Sequence, residues 1–572
     1  MGRLLSSDAS RWLPAATCIL MLMAVPAAHA NTAARLGPTT AFNLGSAIFL
    51  VCGIGAIWAW PRPLDRQDSD RATPLRLAAG AVAALVCCSW TASRLLPVIF
   101  SGPIDAYRGD MLVLVESGVK EFLAGRTPYR IYHLPWDAPL SYGPVLWLPY
   151  AIPVIGRFDL RVLPLAAYLA VVAACLLTSA LTLSRHRIVA PVSIAVLAVA
   201  LAAQPQIAAF YPTAHTPVYW PLLIVFCVAL HAERWVAAAA LLGLLIAART
   251  TMVSVAPVFL LAAYHRRRLT APLVVALLLT AVGPFVPFFV REPRAVLYGM
   301  IGVYPHTIKE FIWRQADGVR ATYGVTAVLL RHGLDRYVEV AQILSLSAVY
   351  GAAWRPLARG ARPEPWMALA LLVFSMTTLW PVLYVYFDVW IFLIAGLLAI
   401  ALGPRIGVAG HAGRVLWVAA AVALAAVFGA GLRHPGSSYT IDVGTREASA
   451  LTGGGFGKDE PSYDGGRDFV WVTDGAARVR LPRAGWTAAD VAIDIRPFEP
   501  VPGLRQTVTA SLNGHPIGAA ALGTGWQRIS FPAPRRSWNY GFNVLELYFG
   551  YAIAEGTSER KVSVGIDRVE IR

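Results

Sequence analysis

Long apolar runs separated by short polar segments make up the first three quarters of the chain. Most runs approach the ~20 residues with which a helix crosses the ~30 Å hydrocarbon core of a bilayer. The pattern therefore predicts a polytopic α-helical membrane protein of about 12–13 spans. The runs lie at 41–60, 77–100, 162–183, 188–203, 217–231, 235–248, 251–264, 271–290, 337–354, 366–381, 388–403 and 413–432.

Two further apolar segments, 143–156 and 323–332, are short and flanked by proline or glycine. We expect them to be half-inserted or surface-lying helices, which are tolerated at membrane depth where they line a protein cavity.

The pattern changes near Arg433. Residues 438–572 contain no long apolar run and instead alternate apolar and polar positions over short stretches such as VAIDIRPF and NVLELYFG. Turn residues separate these stretches, including the Asn513-Gly514 pair that is typical of a tight β-hairpin. The spacing predicts an all-β sandwich of the jelly-roll type with about eight strands.

The first 30 residues carry Arg3 and Arg11, then an apolar stretch, then Ala-His-Ala before Asn31. This pattern is typical both of a secretory signal peptide cleaved after Ala30 and of a first transmembrane helix. Both alternatives place Asn31 outside the cytoplasm.

Basic residues in the short loops predict the orientation of the spans. The loops around 61–76, 184–187, 233–234, 265–268, 355–363 and 404–405 are rich in arginine. The positive-inside rule puts these loops in the cytoplasm. The membrane domain 31–432 then has long outer loops at 101–161 and 291–322, and the sandwich 438–572 is extracytoplasmic.

Composition agrees with a membrane protein and excludes several other classes. Hydrophobic residues make up 57% of the 572 residues and charged residues only 14%, too few to cover a soluble protein of this size. The net charge of +16 is explained by cytoplasmic loops, since no basic stretch interleaved with aromatics indicates nucleic-acid binding. The six cysteines lie in apolar segments without metal-ligand spacing. No P-loop, GxGxxG after a strand or HExxH occurs.

The first outer loop concentrates ionisable residues directly after an apolar run: Asp105, Arg108, Asp110, Glu116 and Lys120. Ionisable groups at a membrane face are costly and indicate a function. Asp110 is a candidate general base, with Asp105 as the competing candidate. Alternatively, Asp110 is only the N-cap of the amphipathic helix that follows it.

Other candidates lie at the predicted outer ends of later spans. Arg249 ends an apolar run on the side where arginine is disfavoured, so it is a candidate phosphate ligand or a snorkelling side chain. His215, Tyr384 and Tyr386 are candidates for substrate contact, or interfacial aromatic residues of the membrane boundary.

The arrangement resembles the GT-C superfamily of membrane glycosyltransferases, near the polyprenyl-phosphate-sugar-dependent, mannosyltransferase-like group of bacteria. The resemblance covers about residues 77–405. The matching segments are Asp110, Gly125 through Tyr129, Tyr142-Gly143-Pro144, Arg249 through Pro257 with Arg266-Arg267-Arg268, and Trp380-Pro381 through Tyr386. The chain departs from the family's pattern at Met111 through Val113 and at His215-Thr216. The C-terminal domain resembles galactose-binding-like or carbohydrate-binding modules in its strand pattern and in Trp471, Trp486, Trp526 and Trp538.

The resemblance implies an inverting glycosyltransferase in the bacterial inner membrane, moving a sugar from a polyprenyl-phosphate donor to a glycan or lipid acceptor. Asp110 or Asp105 would be the base, and Arg249 would bind the donor phosphate with Lys309 or Arg314. Tyr129, Tyr142, His215, Tyr384 and Tyr386 would contact substrate, and neither a metal nor another cofactor is expected. The alternatives are a transporter or flippase of lipid-linked saccharide, and a non-catalytic glycan-binding scaffold.

Overall fold

The computed structural model separates a helical part from a C-terminal all-β part. It describes residues 9–61, 74–101, 104, 106, 109–183, 188–310, 312–314, 322–402, 411–432, 439–445, 448, 451–457, 462–464, 467–483, 487–499, 503–554 and 560–572. Within these residues the coarse architecture predicted from the sequence, membrane-type helices followed by a β region, is confirmed.

The helices of the described chain are mostly apolar and are joined by short loops or single turns of 3-10 helix. They are α1 Ala9–Ala27, α2 His29–Leu36, α3 Pro38–Trp58, α4 Pro74–Ser101, α5 Asp110–Leu123, α6 Pro144–Trp147, α7 Ala151–Gly156, α8 Val162–Thr182, α9 Val189–Ala202, α10 Pro205–Phe210, α11 Trp220–His231, α12 Trp235–Ala248, α13 Ala256–His265, α14 Ala271–Val282, α15 Val286–Arg291, α16 Pro293–Leu297, α17 Val325–Arg331, α18 Val338–Ala358, α19 Glu364–Met376, α20 Tyr384–Leu402 and α21 His411–Leu432.

Seven helical segments within the described residues are long and apolar enough to cross a membrane, and the bent pair α1–α2 makes an eighth if it is one span. Several of the other predicted spans are shorter apolar helices. Thr250–His265, for example, has 16 residues and rises only about 24 Å, less than the ~30 Å hydrocarbon core. The total of 12–13 spans therefore stays a prediction for these shorter helices.

Helix α1 is packed into the helical unit. Trp12, Ile19 and Leu22 are fully or almost fully buried. The side-chain amide of Gln204 donates a hydrogen bond of 2.9 Å to the carbonyl oxygen of Met23. A polar anchor of this kind fixes the helix against its neighbours.

The strands form a small hairpin between α5 and α6 and, after α21, two larger antiparallel sheets and the separate pair of Ile553–Ala554 with Lys561–Val562. They are β1 Ile131–His133, β2 Asp137–Pro139, β3 Tyr439–Asp442, β4 Ser462–Asp464, β5 Arg467–Val472, β6 Ala476–Arg483, β7 Ala489–Pro497, β8 Thr507–Leu512, β9 His515–Ala521, β10 Gln527–Ala533, β11 Gly541–Phe549, β12 Ile553–Ala554, β13 Lys561–Val562 and β14 Val564–Ile571.

The two sheets share one apolar core, as the predicted sandwich requires. One sheet has the order β10-β7-β14-β5-β4 with β3 also paired to β14, and the other has the order β6-β11-β8-β9. Alternate residues of the central strands, such as Ile493 and Leu545, are fully buried in that core. The predicted hairpin at Asn513-Gly514 joins β8 to β9, with positive φ angles of 52° and 77° at its two turn residues.

The compact unit that contains the β-sandwich also includes the end of α4 and the segment Ile152–Val162. Within this unit these segments meet at a buried ion pair, in which Arg161 binds Asp159 through Nε at 2.8 Å and Nη2 at 2.7 Å. The same guanidinium donates to the carbonyl oxygen of Ile99 at 3.0 Å, and the backbone N–H of Asp159 donates to Tyr540 at 2.7 Å. The β unit thus depends on residues far from it in the sequence.

We predict that Gly243→Val destabilises the helical unit. Gly243 lies where α12 crosses α14, and a Cβ there would clash with the side chain of Thr280 and lie 2.5 Å from the carbonyl oxygen of Leu277. Overpacking of this kind costs about 1–3 kcal/mol. Thermal unfolding of the purified protein in detergent measures the loss. Gly351→Val is the matched control, because no atom lies within 4 Å of a Cβ at Gly351; an equal fall in both midpoints would contradict the prediction.

Candidate functional site

A cavity of about 360 Å³ lies in the helical unit where two apolar helices are interrupted. Helix α12 ends at Ala248, and Arg249 adopts an extended backbone (φ −145°, ψ 120°) before the chain resumes a 3-10 helix. The second interruption precedes α20, which begins at Tyr384. Non-helical backbone at membrane depth is tolerated where it lines a cavity. The cavity lining includes Tyr142, Gly143, Arg249, Thr250, Met300, Tyr304, Gln342, Trp380 and Tyr384.

Arg249 is held at the cavity wall by a buried carboxylate. Its Nε lies 3.5 Å from Oδ2 of Asp388, and the two side chains are 10% and 0% exposed. The other oxygen of Asp388 accepts hydrogen bonds from the Tyr219 hydroxyl at 2.5 Å and from Trp220 Nε1 at 3.2 Å. The guanidinium also lies 4.9 Å from the centre of the Tyr384 ring. Asp388 thus holds one edge of the Arg249 guanidinium, and the Tyr384 ring covers one of its faces.

Asp110 is the first residue of α5 and is not its N-cap. The N-cap is Gly109, which has no side chain to cap the helix. The alternative in which Asp110 is the N-cap of α5 is therefore wrong. Instead, Oδ2 of Asp110 accepts a hydrogen bond of 3.3 Å from Trp136 Nε1. Burial raises the pKa of Asp110 above its ordinary value, and the hydrogen bond from Trp136 opposes part of that rise.

Tyr142 links Asp110 to Arg249 electrostatically. Burial raises the pKa of the Tyr142 hydroxyl, the neighbouring Tyr384 and Asp110 raise it further, and Arg249 lowers it. The predicted base and the predicted cation therefore both act on one side chain that lines the cavity.

His215 is completely buried against Tyr142, with ring centroids 4.2 Å apart. Neither ring nitrogen has a hydrogen-bond partner among the described residues. Burial lowers the pKa of His215 well below its ordinary value, and the positive charge of Arg249 lowers it further. His215 is therefore a neutral imidazole behind the cavity wall and not an interfacial side chain.

Tyr129 and Tyr386 were both predicted to contact substrate, but neither side chain lines the cavity. The Tyr129 hydroxyl donates to the backbone oxygen of Tyr142 at 3.0 Å and accepts from Trp147 Nε1 at 3.3 Å. Tyr129 therefore positions the loop that carries Tyr142. Tyr386 is fully buried and stacks on Phe49 at 4.6 Å, so it does not line the cavity.

The two additional cations predicted for the donor phosphate do not line this cavity. Lys309 forms an ion pair with Glu339 and lies 5.7 Å from the Trp313 ring. Arg314 is exposed at the end of the 3-10 turn Ile312–Arg314. Asp105, the competing base, lies outside the described residues. The structure thus brings Tyr142, His215, Arg249 and Tyr384 together at one cavity, with Asp110 acting on Tyr142, but it does not bring Lys309 or Arg314 there.

The candidates predicted from the sequence do not include Asp388, Tyr219, Trp220 or Trp136, which hold Arg249 and Asp110 in place. A signal was present for Asp388, because an acidic residue in the apolar helix YVYFDVWIFLI requires a partner. Nothing in the local pattern identifies the two donors to its carboxylate, Tyr219 immediately before α11 and Trp220 at its first position.

In the β unit, the four tryptophans named for carbohydrate binding have different environments. Trp538 is fully buried beneath Arg483 and belongs to the core, whereas Trp486 lies outside the described residues. Trp471 in β5 and Trp526 in the turn before β10 each pack edge-on to Phe469, with ring centroids 5.1 Å apart. Glycan binding by this pair stays a prediction.

One group of carboxylates in the described residues has the spacing of a metal site. Oxygen atoms of Asp442, Asp468 and Asp567 lie within 4.8 Å of one another in the β unit. Arg568 lies 3.9 Å from Asp442 and supplies a positive charge to the group. The cavity lined by Arg249 contains no such carboxylate group among its lining residues.

Comparison with known proteins gives no assignment for this chain. No family model matches it, and no curated protein matches it either. A function for this chain must therefore be inferred from its own residues and their geometry.

We predict that Asp388→Ala destabilises the helical unit by about 3–5 kcal/mol, because it leaves Arg249 buried without its counter-charge. The double substitution Asp388→Leu with Arg249→Met removes both charges and should recover most of the loss. The thermal unfolding midpoint of the three proteins in one detergent measures both effects. A single variant as stable as the unsubstituted protein would contradict the ion-pair assignment.

Proposed function

We propose that the protein is an inverting membrane glycosyltransferase that moves a sugar from a polyprenyl-phosphate donor to a hydroxyl of a glycan or lipid acceptor. The observation that carries this proposal is the buried Arg249 at the wall of a cavity, with the Asp110 carboxylate acting on the same tyrosines. A cation at a cavity wall and a carboxylate that acts on the tyrosines of that wall supply the two groups that transfer from a phosphorylated donor requires.

Arg249 binds the anionic phosphate of the donor and stabilises it as it leaves. The guanidinium is pre-oriented by Asp388 and Tyr384, so little reorganisation is needed as charge develops on the leaving oxygen. Its position at a wall with many apolar neighbours strengthens the interaction, because the dielectric constant there is lower than in water. The polyprenyl tail would leave the cavity between the helices.

Asp110 takes the proton from the acceptor hydroxyl. The acceptor oxygen then attacks the anomeric carbon, the bond from that carbon to the phosphate oxygen breaks, and the configuration is inverted. The proton remains on Asp110 and the electron pair of the broken bond remains on the lipid phosphate. The raised pKa of Asp110 makes it a stronger base than an exposed aspartate.

The aromatic lining provides the contacts for the sugar. Tyr142 and Tyr384 border the cavity beside Arg249, and tyrosine offers both an apolar face and a hydroxyl. His215, as a neutral ring behind Tyr142, supports that side chain and does not compete for the phosphate. The scheme uses no metal.

A second candidate is the transport of a lipid-linked saccharide. It is favoured by one observation, the fully buried Asp388 inside the candidate span Tyr384–Leu402. Charged residues within spans are common in substrate pathways of transporters. A transporter would move the intact donor, whereas a transferase would release its lipid phosphate.

We predict that Asp110→Asn reduces transfer at least a hundredfold, since general-base catalysis contributes typically 10²–10⁴-fold. The assay follows release of polyprenyl phosphate from a sugar-labelled donor by the purified protein in liposomes. Glu116→Gln is the matched control, a carboxylate on the same helix that pairs with Lys120 at 2.7 Å. Wild-type release by the Asp110 variant would remove Asp110 from the mechanism. Movement of intact donor without any release, in the unsubstituted protein, would favour transport instead.

We predict that Trp136→Phe moves the acid limb of the pH–rate profile to higher pH. The base must be ionised, so activity falls as the pH falls through the pKa of Asp110. The hydrogen bond from Trp136 lowers that pKa, and its removal raises it. Trp417→Phe, at a side chain 79% exposed, should leave the profile unchanged. If the Trp136 variant has a lower maximal rate but an acid limb at the unchanged pH, the ionisation of Asp110 does not control that limb.

A further inference from the structure

A second cavity of about 530 Å³ is lined by three arginines and belongs to no part of the proposed transfer site. We call it the arginine cavity, and its lining residues are Gly125, Arg126, Thr127, Arg130, Arg291 and Glu292. It lies between the turn after α5 and the end of α15, both within the helical unit.

One wall is built by the turn that follows α5. Gly125 has a φ of +75°, which reverses the chain after the helix ends at Leu123. The turn brings Arg126 and Arg130 to the same carboxylate of Glu121. Arg126 binds it through Nε at 2.6 Å and Nη2 at 3.2 Å, and Arg130 through Nη1 at 3.1 Å. One carboxylate thus orients two guanidinium groups and compensates only one of their charges.

The opposite wall is the end of an apolar helix. The candidate span Ala271–Arg291 has a mean hydropathy of 2.4, and only 17% of it is buried. Its last turns expose Phe289 and Val290, at 44% and 76%. The guanidinium of Arg291 makes no hydrogen bond or ion pair with any residue that the structure describes. An arginine that ends a lipid-facing span lies at the level of the phospholipid headgroups.

The two walls are held together by aromatic packing. Phe288, one helical turn before the cavity, contacts the rings of Phe122, Tyr129 and Trp147 at centroid distances of 6.1, 5.5 and 5.5 Å. The cavity is therefore a fixed feature and not a chance gap between two loops. Thr127 adds a hydroxyl that is buried and has no hydrogen-bond partner among the described residues.

The charges favour an anion. Arg126, Arg130 and Arg291 face Glu121 and Glu292, which leaves one net positive charge. Guanidinium groups and a hydroxyl are the usual ligands of phosphate oxygens. Exposed apolar side chains beside Arg291 provide a surface for acyl chains. A phosphate attached to a lipid satisfies both features, whereas a soluble phosphate satisfies only the first.

We propose that the arginine cavity binds the phosphodiester headgroup of an anionic phospholipid in the leaflet where the span 271–291 ends. Arg126, Arg130 and Arg291 bind the phosphate oxygens, and the acyl chains lie along α15. This inference concerns a lipid that is neither donor nor acceptor, and it holds whether or not the protein transfers sugar.

The test is thermal unfolding of the full chain in neutral detergent micelles with rising mole fractions of phosphatidylglycerol. We expect phosphatidylglycerol to raise the unfolding midpoint and phosphatidylcholine to leave it unchanged. Arg291→Gln should weaken the apparent affinity for phosphatidylglycerol about fivefold, the effect of one arginine near an anionic lipid. Glu292→Gln should strengthen it, a gain that a merely destabilising substitution would not produce.

The matched control is Arg294→Gln, an exposed arginine three residues further on that does not line the cavity. Equal loss of affinity in the Arg291 and Arg294 variants would overturn the proposal, because it would show attraction by surface charge alone. If glycerol phosphate raises the unfolding midpoint as much as phosphatidylglycerol does, the cavity binds a soluble phosphate and the proposal of a lipid ligand is wrong. Should Arg291→Gln fail to fold, Arg130→Gln tests the other wall with the same expected loss.

Discussion

The stability of the helical unit depends on the neutralisation of one buried positive charge. Arg249 lies in an apolar interior where an unpaired cation is very costly, and Asp388 supplies the counter-charge. The carboxylate in turn needs donors, which Tyr219 and Trp220 provide at the start of α11. Three chain segments must therefore meet at one point. The interruptions of α12 and before α20 occur at this point, and they open the cavity beside it.

The candidate site is assembled from segments that lie far apart in the sequence. Asp110, Tyr142, His215, Arg249 and Tyr384 come from five separate segments. Tyr129 fixes one of these segments by its hydrogen bond to the backbone of Tyr142. The guanidinium of Arg249 is held by Asp388 and Tyr384 before any ligand binds, so binding energy is not spent on orienting it. Such preorganisation is what charge stabilisation in a transition state requires.

The sequence predicted the features that local patterns determine. Apolar runs identified the helical part, and Asn513-Gly514 identified a hairpin that β8 and β9 form. Predictions failed or stayed open where distant partners decide the outcome. Lys309 is paired with Glu339, and Trp538 is a core residue under Arg483; neither fact follows from local spacing. The segment Ile152–Val162 belongs to the β unit through Arg161 and Asp159, although it looks like part of a membrane loop.

Helix α20 is as apolar as a lipid-facing span, yet all of it is enclosed by protein. Its hydropathy therefore serves insertion into the bilayer, not contact with lipid. Because α20 is synthesised after the segment that carries Arg249, a nascent chain that lacks α20 holds this arginine without the carboxylate of Asp388. The earlier helices must therefore leave room for α20, and its insertion is the step that neutralises Arg249 during biogenesis.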